Sequence, residues 1–302
     1  MMHCPSISAS PPASSRLLLR LSPSPPKALT RIHEERSPSS PRALACCRCG
    51  RRTGLLGASA AALLPVPSSA APDASSSDPA VIMERVHPPR PDWYEEFYAR
   101  TMEEGMRSYE AEIADYKEKL FANLTGKSKK ILELGVGTAP NFKYYAAIDD
   151  LEVIGVDPNK QMEKYSRAAA VAAGLPLKSF NFKRGVAEAL PLGDSSVDAV
   201  VGTLVLCSVK DVGMALREVK RVLKPGGIYL FIEHVAARDG SLLRFVQGAL
   251  DPLQQFLADG CHLTRETGMQ ISEVGFSSIS QSMAFLSSIS LISPHVYGVA
   301  CK

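Results

Sequence analysis

From Lys129 onward, the sequence alternates short apolar runs with segments of helical periodicity. The run "KKILELGV" is followed by "LEVIGVD", "FNFKRGV", "SVDAVVGTLVL" and "IYLFIEHV", with helical patterns such as "NKQMEKYSRAAAVAAG" and "GMALREVKRVL" between them. Strands that are apolar throughout have both faces buried, and strands alternating with helices pair in parallel. The pattern predicts an α/β fold, a mostly parallel sheet with helices on both faces, including a helix from about Asn141.

The rest of this domain, predicted over residues 127–302, departs from the alternation after His234. The stretch "AARDGSLLRFVQGALDPLQQFLADGCHLTRETG" predicts a helical insert at about 236–268, formed by two helices. The closing runs "FSSISQSMAF" and "PHVYGVACK" read as two strands that would add an antiparallel strand to the edge of the sheet.

Residues 73–126 form a predicted N-terminal helical segment. Apolar residues from Trp93 to Leu120 recur at intervals of three to five, and Asp92 with Glu95 has the spacing of a capping box. Gly105 is expected to break or kink this helix. The stripe has two interpretations: a helix that packs on the following domain, or an aromatic lid over a ligand.

The first 72 residues have a composition that cannot support a packed core. They contain nine Lys or Arg residues, two acidic residues and 11 of the 22 prolines. Arg- and Ser-rich segments that are poor in acid are typical of organelle transit peptides. Twin arginines, Arg51 and Arg52, precede a short apolar stretch, an order that resembles a thylakoid-transfer signal. The expected localisation is the chloroplast, in the stroma or thylakoid, and a plain stromal transit peptide is the alternative.

Charge and cysteine content exclude several functional classes. Outside the first 72 residues the chain has 25 basic and 29 acidic residues, so no basic surface for nucleic acid is expected. The "CCRC" run lacks a second pair of ligands at metal-binding spacing and lies in the predicted leader. Cys207 and Cys261 are interpreted as small buried apolar residues, and no metal site is predicted.

The segment "ELGVGTAP" contains the first candidate binding residues. Gly135 and Gly137 permit a tight turn after the first strand and a close backbone approach to a ligand. A pyrophosphate-binding fingerprint requires a glycine at the position occupied by Pro140. By themselves the two glycines do not identify the ligand.

Two acidic residues distinguish between the ligands that this turn could bind. Asp157 ends the second strand, twenty residues after Gly137, where a carboxylate can accept hydrogen bonds from ribose hydroxyls. Glu133 lies beside the turn, where it would repel a pyrophosphate and favour a ligand that carries an ammonium and a sulfonium. This charge pattern favours S-adenosylmethionine over a dinucleotide.

Four motifs in order resemble those of class I S-adenosylmethionine-dependent methyltransferases: "ILELGVGTA", "GVDPN", "GVAEALPLGDSSVDAVV" and "REVKRVLKPGGIYLFIEHV". The resemblance implies a Rossmann-like seven-stranded sheet and S-adenosyl-L-methionine as cofactor. It implies that Glu133, Gly135 and Gly137 line the methionine part, Asp157 the ribose, Ala187 and Glu188 the adenine, and Thr203 and Leu204 the sulfonium. The family's third glycine is Ala139 here.

A narrower resemblance extends through "TLVLCSVKD", "EHVAA", "LDP", "DGCHLTRE" and "PHVYGVACK" to the methyltransferase-like protein 7 group. That group methylates small thiols and associates with membranes through an apolar N-terminal segment, whereas this chain has a transit-like leader. The resemblance implies a small-molecule acceptor, a thiol, and a peripheral membrane contact. His234, Asp259 and His262 are the candidates to assist transfer. The structural alternatives are that His234 bonds a backbone group and that Asp259 caps the helix after it.

The sequence is compatible with three other functions. The generic likeness of "LREVKRVLKPGG" to quinone methyltransferases favours a plastid C- or O-methyltransferase acting on a prenylquinone or phenolic. The same sheet topology could serve an NAD-dependent oxidoreductase, against which Pro140 and Glu133 count. A non-catalytic protein that retains the cofactor fold is the third.

Overall fold

The computed structural model describes residues 78–287 and 290–302. The predicted leader, residues 1–72 with its "CCRC" run, lies outside the described residues. The helices are α1 (Pro79–Val86), α2 (Asp92–Gly105), α3 (Arg107–Phe121), α4 (Met162–Ala172), α5 (Val212–Val222), α6 (Leu242–Leu257) and α7 (Thr267–Glu273). The strands are β1 (Lys130–Leu134), β2 (Glu152–Asp157), β3 (Phe180–Arg184), β4 (Val197–Thr203), β5 (Leu223–His234), β6 (Ser278–Phe285) and β7 (Pro294–Cys301).

The strands form one seven-stranded sheet in the order β3-β2-β1-β4-β5-β7-β6. The pairs from β3 to β5 are parallel, whereas β7 is antiparallel to both β5 and β6. The order reverses between β1 and β4, so the carboxyl ends of these two strands flank the crevice where such sheets bind ligands. The predicted fold class and the antiparallel end of the sheet are confirmed.

Alternate strand residues enter two cores on opposite faces of the sheet. Ile131 packs in one core with residues of α3 and α4, and its neighbour Leu132 packs in the other with residues of α5 and α7. Because successive side chains of a strand point to opposite faces, a continuous apolar run supplies both cores. This is why the β-strands read as unbroken apolar segments.

The N-terminal segment both packs on the sheet and faces the crevice. Tyr109, Ile113 and Leu120 of α3 are buried in one core, while Tyr98 and Met102 of α2 line the crevice. Tyr109 also lines the crevice, whereas the first aromatic residues of the stripe, Trp93 and Phe97, are exposed, so a lid over a ligand stays a prediction. α2 ends at Gly105, where the sequence predicts a break.

Two local predictions are wrong. Asp92 does not cap α2, because Pro91 occupies the N-cap position and Asp92 lies inside the helix, where its carboxylate pairs with Lys160 at 2.7 Å. The helix expected from about Asn141 is a single 3-10 turn, Phe142–Tyr144. The buried side chains of Asn141 and Tyr145 reach back to Glu133 in β1, which favours a compact turn.

Candidate active site

A cavity of about 720 Å³ opens at the carboxyl ends of β1, β2 and β4. Loops after these strands and after β3 form its floor, and residues of α2 and α3 form part of its wall. Eight of the predicted site residues line it: Gly135, Gly137, Asp157, Ala187, Glu188, Thr203, Leu204 and Asp259. Glu133, His234 and His262 do not.

The turn after β1 has a left-handed backbone at three positions. Gly135 and Gly137 have φ angles of 52° and 50°, and Ala139 has 58°. A Cβ on Gly135 would lie 2.8 Å from Cγ2 of Val205, whereas Gly137 has no such close neighbour. The turn therefore requires glycine at position 135 for conformation and for space. It accommodates alanine at 139 at the cost of a left-handed conformation that alanine seldom adopts.

Asp157 joins the turn to the end of β2. Its Oδ2 accepts a hydrogen bond from the backbone N–H of Gly137 at 3.0 Å, and its Oδ1 accepts one from the N–H of Asn159 at 2.9 Å. Burial raises the pKa of Asp157 to about 6, although these two hydrogen bonds favour the charged form. Each carboxylate oxygen retains acceptor capacity for a ligand hydroxyl.

Glu133 lies behind the cavity wall, which corrects the prediction that it lines the methionine end. Its Oε1 accepts a hydrogen bond from Nδ2 of Asn141 at 2.7 Å, and the hydroxyl of Tyr145 donates to its Oε2. Burial raises the pKa of Glu133 to about 8, against the hydrogen bond from Asn141 and the charge of Lys117. Because Glu133 is buried and both of its oxygens bond residues of the following turn, this carboxyl fixes the 3-10 turn and does not face the cavity.

Glu188 and Thr203 line the cavity, and their side chains form hydrogen bonds with neighbouring segments. Oε1 of Glu188 accepts hydrogen bonds from the backbone N–H groups of Lys210, at 2.6 Å, and Asp211. The hydroxyl of Thr203 accepts a hydrogen bond from Nδ2 of Asn141 at 3.0 Å. These bonds connect the β3 and β4 loops to neighbouring segments and hold the lining residues in place.

Glu233, which sequence reasoning did not identify, anchors the loop after β4. Its Oε1 accepts hydrogen bonds from the N–H groups of Val205 and Leu206, both at 3.0 Å. Leu204, at the start of this loop, has a φ of 57°, a value that is rare for a side chain of its size. The buried carboxyl thus holds a strained loop at the cavity wall.

Asp259 is the predicted catalytic candidate that lines the cavity. Its Oδ2 lies 3.1 Å from Nε2 of His87, and its Oδ1 lies 2.9 Å from Nη2 of Arg90. Burial raises the pKa of Asp259, but the hydrogen bond and charge of His87 and the charge of Arg90 outweigh it, and the net shift is downward. The alternative that Asp259 caps the following helix is wrong, because α7 begins at Thr267.

His234 and His262 do not line the cavity, so the prediction that they contact an acceptor there is corrected. His234, the last residue of β5, is buried with Nε2 3.0 Å from Sγ of Cys261. Nδ1 of His262 lies 3.4 Å from a carboxylate oxygen of Asp251. Its position at the carboxyl end of β5 places His234 near the site, but its side chain does not line the cavity.

Several cavity residues were missed because they come from the N-terminal segment. His87 follows α1, Tyr98 and Met102 belong to α2, and Met106 lies between α2 and α3. The apolar stripe from Trp93 contained the signal for the methionines. Nothing in the local sequence indicated that His87 would meet a residue 172 positions away.

The match to known proteins covers the cofactor region, and for two of these proteins it is longer than that region. Residues 132–231 match the family described as Methyltransferase domain. The human protein named thiol S-methyltransferase TMT1A is 41% identical over 201 residues, which cover 64% of this chain and 81% of that protein. Rat thiol S-methyltransferase TMT1B is 41% identical over 179 residues, which cover 57% of this chain and 72% of the rat protein.

Solved structures show the same fold at low identity. A chain in the complex between the Haloferax volcanii Trm112 methyltransferase activator and the putative methyltransferase aligns with a TM-score of 0.54 and 16% identity. The alignment covers 70% of this chain and 99% of that one. Likeness at this identity extends to the fold alone, whereas the identity to the human and rat proteins extends to the family. The chain is therefore a member of the class I S-adenosylmethionine-dependent methyltransferases, close to the thiol S-methyltransferase group.

Proposed function

We propose that the cavity binds S-adenosylmethionine and that the protein transfers its methyl group to the sulfur of a small thiol. The observation that supports a thiol as the acceptor is the 41% identity to a human protein named thiol S-methyltransferase, over 81% of that protein. Its length implies that the shared region includes parts of the chain outside the 100-residue methyltransferase domain match, where acceptor pockets are formed.

The residues present fit the cofactor. The turn at Gly135 and Gly137 presents backbone without a Cβ to the methionine end, and Asp157 offers carboxylate oxygens to the ribose hydroxyls. Ala187 and Glu188 would border the adenine, and Thr203 with Leu204 the sulfonium. When bound, S-adenosylmethionine supplies a methyl group that a sulfonium already activates.

The wall formed by the N-terminal segment offers apolar side chains to an acceptor, beside charged ones such as Glu103 and Arg107. Tyr98, Met102 and Met106 line the cavity beside the cofactor residues, and its volume lies in the upper part of the range of roughly 300 to 1,000 Å³ typical of small-molecule sites. A cofactor and a small acceptor could therefore occupy it together. Alignment of the acceptor sulfur with the methyl group and exclusion of water are the main contributions expected of the protein.

An Asp–His pair provides a place for the acceptor proton. Among the described cavity residues His87 is the sole imidazole, and Asp259 engages its Nε2, which leaves Nδ1 to accept a proton. Burial lowers the pKa of His87, but the hydrogen bond and charge of Asp259 outweigh it and the net shift is upward. A thiol, with a reference pKa of about 8.5, requires only modest help from such a base.

The test is methyl transfer from labelled S-adenosylmethionine to a panel of thiols, prenylquinones and phenolics. Methylation of thiols is expected, and turnover of quinones or phenolics alone would contradict the thiol assignment. His87→Asn should lower kcat at pH 7 by on the order of 100-fold, with a smaller loss near pH 9, where the thiolate forms without a base. The control His262→Asn removes an imidazole outside the cavity and should retain the wild-type rate.

We also propose a peripheral membrane contact through α6. Among residues 78–287 and 290–302, no helix has both the length and the apolar character to cross a bilayer. The exposed side of α6 nevertheless presents large apolar side chains, with Phe245 at 74% and Phe256 at 76% exposure, together with Leu242, Leu253 and Leu257. Their spacing puts them along one side of the helix, as in helices that lie in the membrane interface.

The proposed localisation in the chloroplast rests on the composition of residues 1–72 alone. Import of a fusion of this segment into isolated chloroplasts, with cleavage to a shorter product, is the expected result. Replacement of Arg51 and Arg52 by lysine separates the two destinations, because only thylakoid transfer requires the twin arginines. A fusion that remains outside the organelle would contradict the proposal.

A further inference from the structure

Two cysteines and a histidine meet beside the cavity, outside the residues assigned so far. One ligand atom from each of Cys207, His234 and Cys261 lies within 4.8 Å of the other two. The histidine Nε2 is 3.0 Å from Sγ of Cys261, and all three residues are buried. Nδ1 of His234 is buried without a hydrogen-bond partner among the described residues. Nε2, and not Nδ1, faces the thiol of Cys261, so Nε2 is the nitrogen that an ion between the three side chains would take.

Three separate parts of the fold bring these side chains together. Cys207 lies on the loop after β4 that Glu233 holds, and His234 ends β5. Cys261 follows Gly260, which has a φ of 87° and on which a Cβ would lie 3.1 Å from the carbonyl oxygen of Ser208. The N–H of His262 donates to the carbonyl of Cys207 at 2.9 Å. The two cysteine loops are therefore fixed against each other by backbone contacts.

The donor set is that of a soft divalent site. Thiolate and imidazole ligands favour Zn²⁺, with Zn–S near 2.3 Å and Zn–N near 2.0 Å, which places tetrahedral neighbours roughly 3.5 to 3.8 Å apart. The three ligand atoms lie within 4.8 Å of one another, and the 3.0 Å between Nε2 of His234 and Sγ of Cys261 would widen by about 0.5 Å as an ion enters. Structural zinc sites usually have four protein ligands, whereas catalytic sites have three and an open position. The described residues of this cluster supply three.

Neighbours of both cysteines line the cavity, although the three cluster residues themselves do not. Ser208, next to Cys207, and Asp259, two residues before Cys261, both line the cavity wall. The hydroxyl of Ser208 lies 3.6 Å from Sγ of Cys207. An acceptor sulfur in the cavity would thus have only a short path to an ion bound by the three side chains.

We propose that Cys207, His234 and Cys261 bind Zn²⁺, and that the fourth position takes the sulfur of the acceptor thiol. The second part rests on the proposed function, while the first does not. The acceptor S–H bond breaks, with the proton passing to Nδ1 of His87, and the sulfur lone pair binds zinc. As the sulfur attacks, the new C–S bond forms while the methyl–sulfonium bond breaks. The thioether product is neutral and binds zinc more weakly than the thiolate, which favours its release.

The first experiment measures metal content of the full chain, expressed with added zinc and purified without chelator. Elemental analysis should find about one zinc per chain in the wild type and below about one-tenth in Cys207→Ser and Cys261→Ser. His262→Asn, one residue beyond the cluster, is the matched control and should retain its zinc. Circular dichroism of each variant distinguishes loss of the metal from loss of the fold.

The second experiment replaces zinc with Co²⁺, which reports ligand type in its absorption spectrum. Tetrahedral d–d bands and a thiolate-to-cobalt band are expected, and Cys261→Ser should weaken the latter. Addition of a thiol should shift the d–d bands without S-adenosylmethionine. A cobalt site with no thiol-induced shift would overturn the acceptor role alone, whatever the outcome of the methyl-transfer panel.

Two results would overturn the metal site itself. One is wild-type protein with less than about one-tenth of a zinc or other transition metal per chain and no cobalt bands. The other is a Cys207–Cys261 disulfide found by mass spectrometry in freshly purified, unreduced protein, which would make the pair a redox element. Neither result depends on methyl transfer, so the metal site and the proposed function can fail separately.

Discussion

The carboxylate of Asp157 accepts a hydrogen bond from the backbone N–H of Gly137, with 3.0 Å between Oδ2 and the nitrogen. This bond connects the end of β2 to the glycine turn after β1, the two segments that flank the ribose and methionine ends of the proposed cofactor site. Because this side chain both braces the turn and faces the cavity, its removal should weaken cofactor binding through the lost contact and through the turn.

Asp157→Ala should weaken S-adenosylmethionine binding strongly. Each hydrogen bond from a ribose hydroxyl to the charged carboxylate contributes on the order of 1.5 to 3 kcal/mol, so the loss of one or two raises Kd by at least roughly tenfold. Calorimetric titration measures the change. Asp239→Ala, which removes an exposed carboxylate paired with Arg244, is the control. Unchanged affinity in the Asp157 variant would remove this residue from the site.

Cofactor binding should weaken as the pH falls through about 6. The pKa of Asp157 is raised to about 6 by burial, so below this value the residue is protonated and loses the charge that strengthens its hydrogen bonds. Between pH 7 and pH 5 the Kd should rise by up to about tenfold. Asp157→Asn has no such titration, and its Kd should change little over this range. An identical pH profile in both proteins would contradict the assignment.

Gly135→Ala should destabilise the protein. The left-handed φ of 52° costs a residue with a Cβ about 1 to 2 kcal/mol, and the contact at 2.8 Å from Val205 adds to this. Chemical denaturation should show a fall in the free energy of unfolding of about 2 kcal/mol or more. The control is Gly248→Ala in α6, where an added Cβ would have no atom within 4 Å apart from the backbone of its own helix. This change should be neutral or stabilising by up to about 1 kcal/mol. Equal effects at both sites would contradict the prediction.

Glu133→Gln should remove part of the pH dependence of stability. Burial raises the folded-state pKa of Glu133 from 4.5 to about 8, so the folded protein holds a proton that the unfolded chain releases in this window. The free energy of unfolding should therefore fall with rising pH between about 4.5 and 8, by about 1.4 kcal/mol per unit for this group.

The measurement for Glu133 is urea unfolding at several pH values between 5 and 8. The difference between wild type and Glu133→Gln should decrease steadily as pH rises. Glu152→Gln changes an exposed glutamate at the start of β2 that pairs with Lys130, and it should keep the wild-type slope. Parallel curves for wild type and Glu133→Gln would show that Glu133 is ionised in the folded protein.

Replacement of Phe245 and Phe256 by serine should reduce membrane binding. Both side chains are about three-quarters exposed on α6, so the change removes apolar area without opening a core. Sedimentation with phosphatidylcholine vesicles containing anionic lipid should show a several-fold lower bound fraction, with methyl transfer in solution unchanged. Leu177→Ser, an exposed apolar site in the 3-10 turn before β3, is the control. Equal binding of wild type and double variant would exclude α6 as the contact.

Local periodicity and spacing determined much of this protein. Strands that are apolar on both faces can be buried only within a covered parallel sheet, and the chain order of the motifs then placed Gly135, Asp157, Glu188 and Leu204 at one edge. These relationships follow from short-range geometry. The sequence could not show that Pro91, and not Asp92, occupies the cap position of α2. A shift of one residue in the start of a helix leaves its apolar periodicity unchanged.

Only the tertiary structure decided which side chains face the cavity and which contact residues of other segments. Glu133 turns inward to Asn141 and Tyr145, and His234 meets Cys261 in place of an acceptor. His87 reaches Asp259 across 172 positions. Contacts between distant segments depend on how helices and loops pack over the sheet, and packing is set by the summed shape of many side chains, which no local pattern encodes.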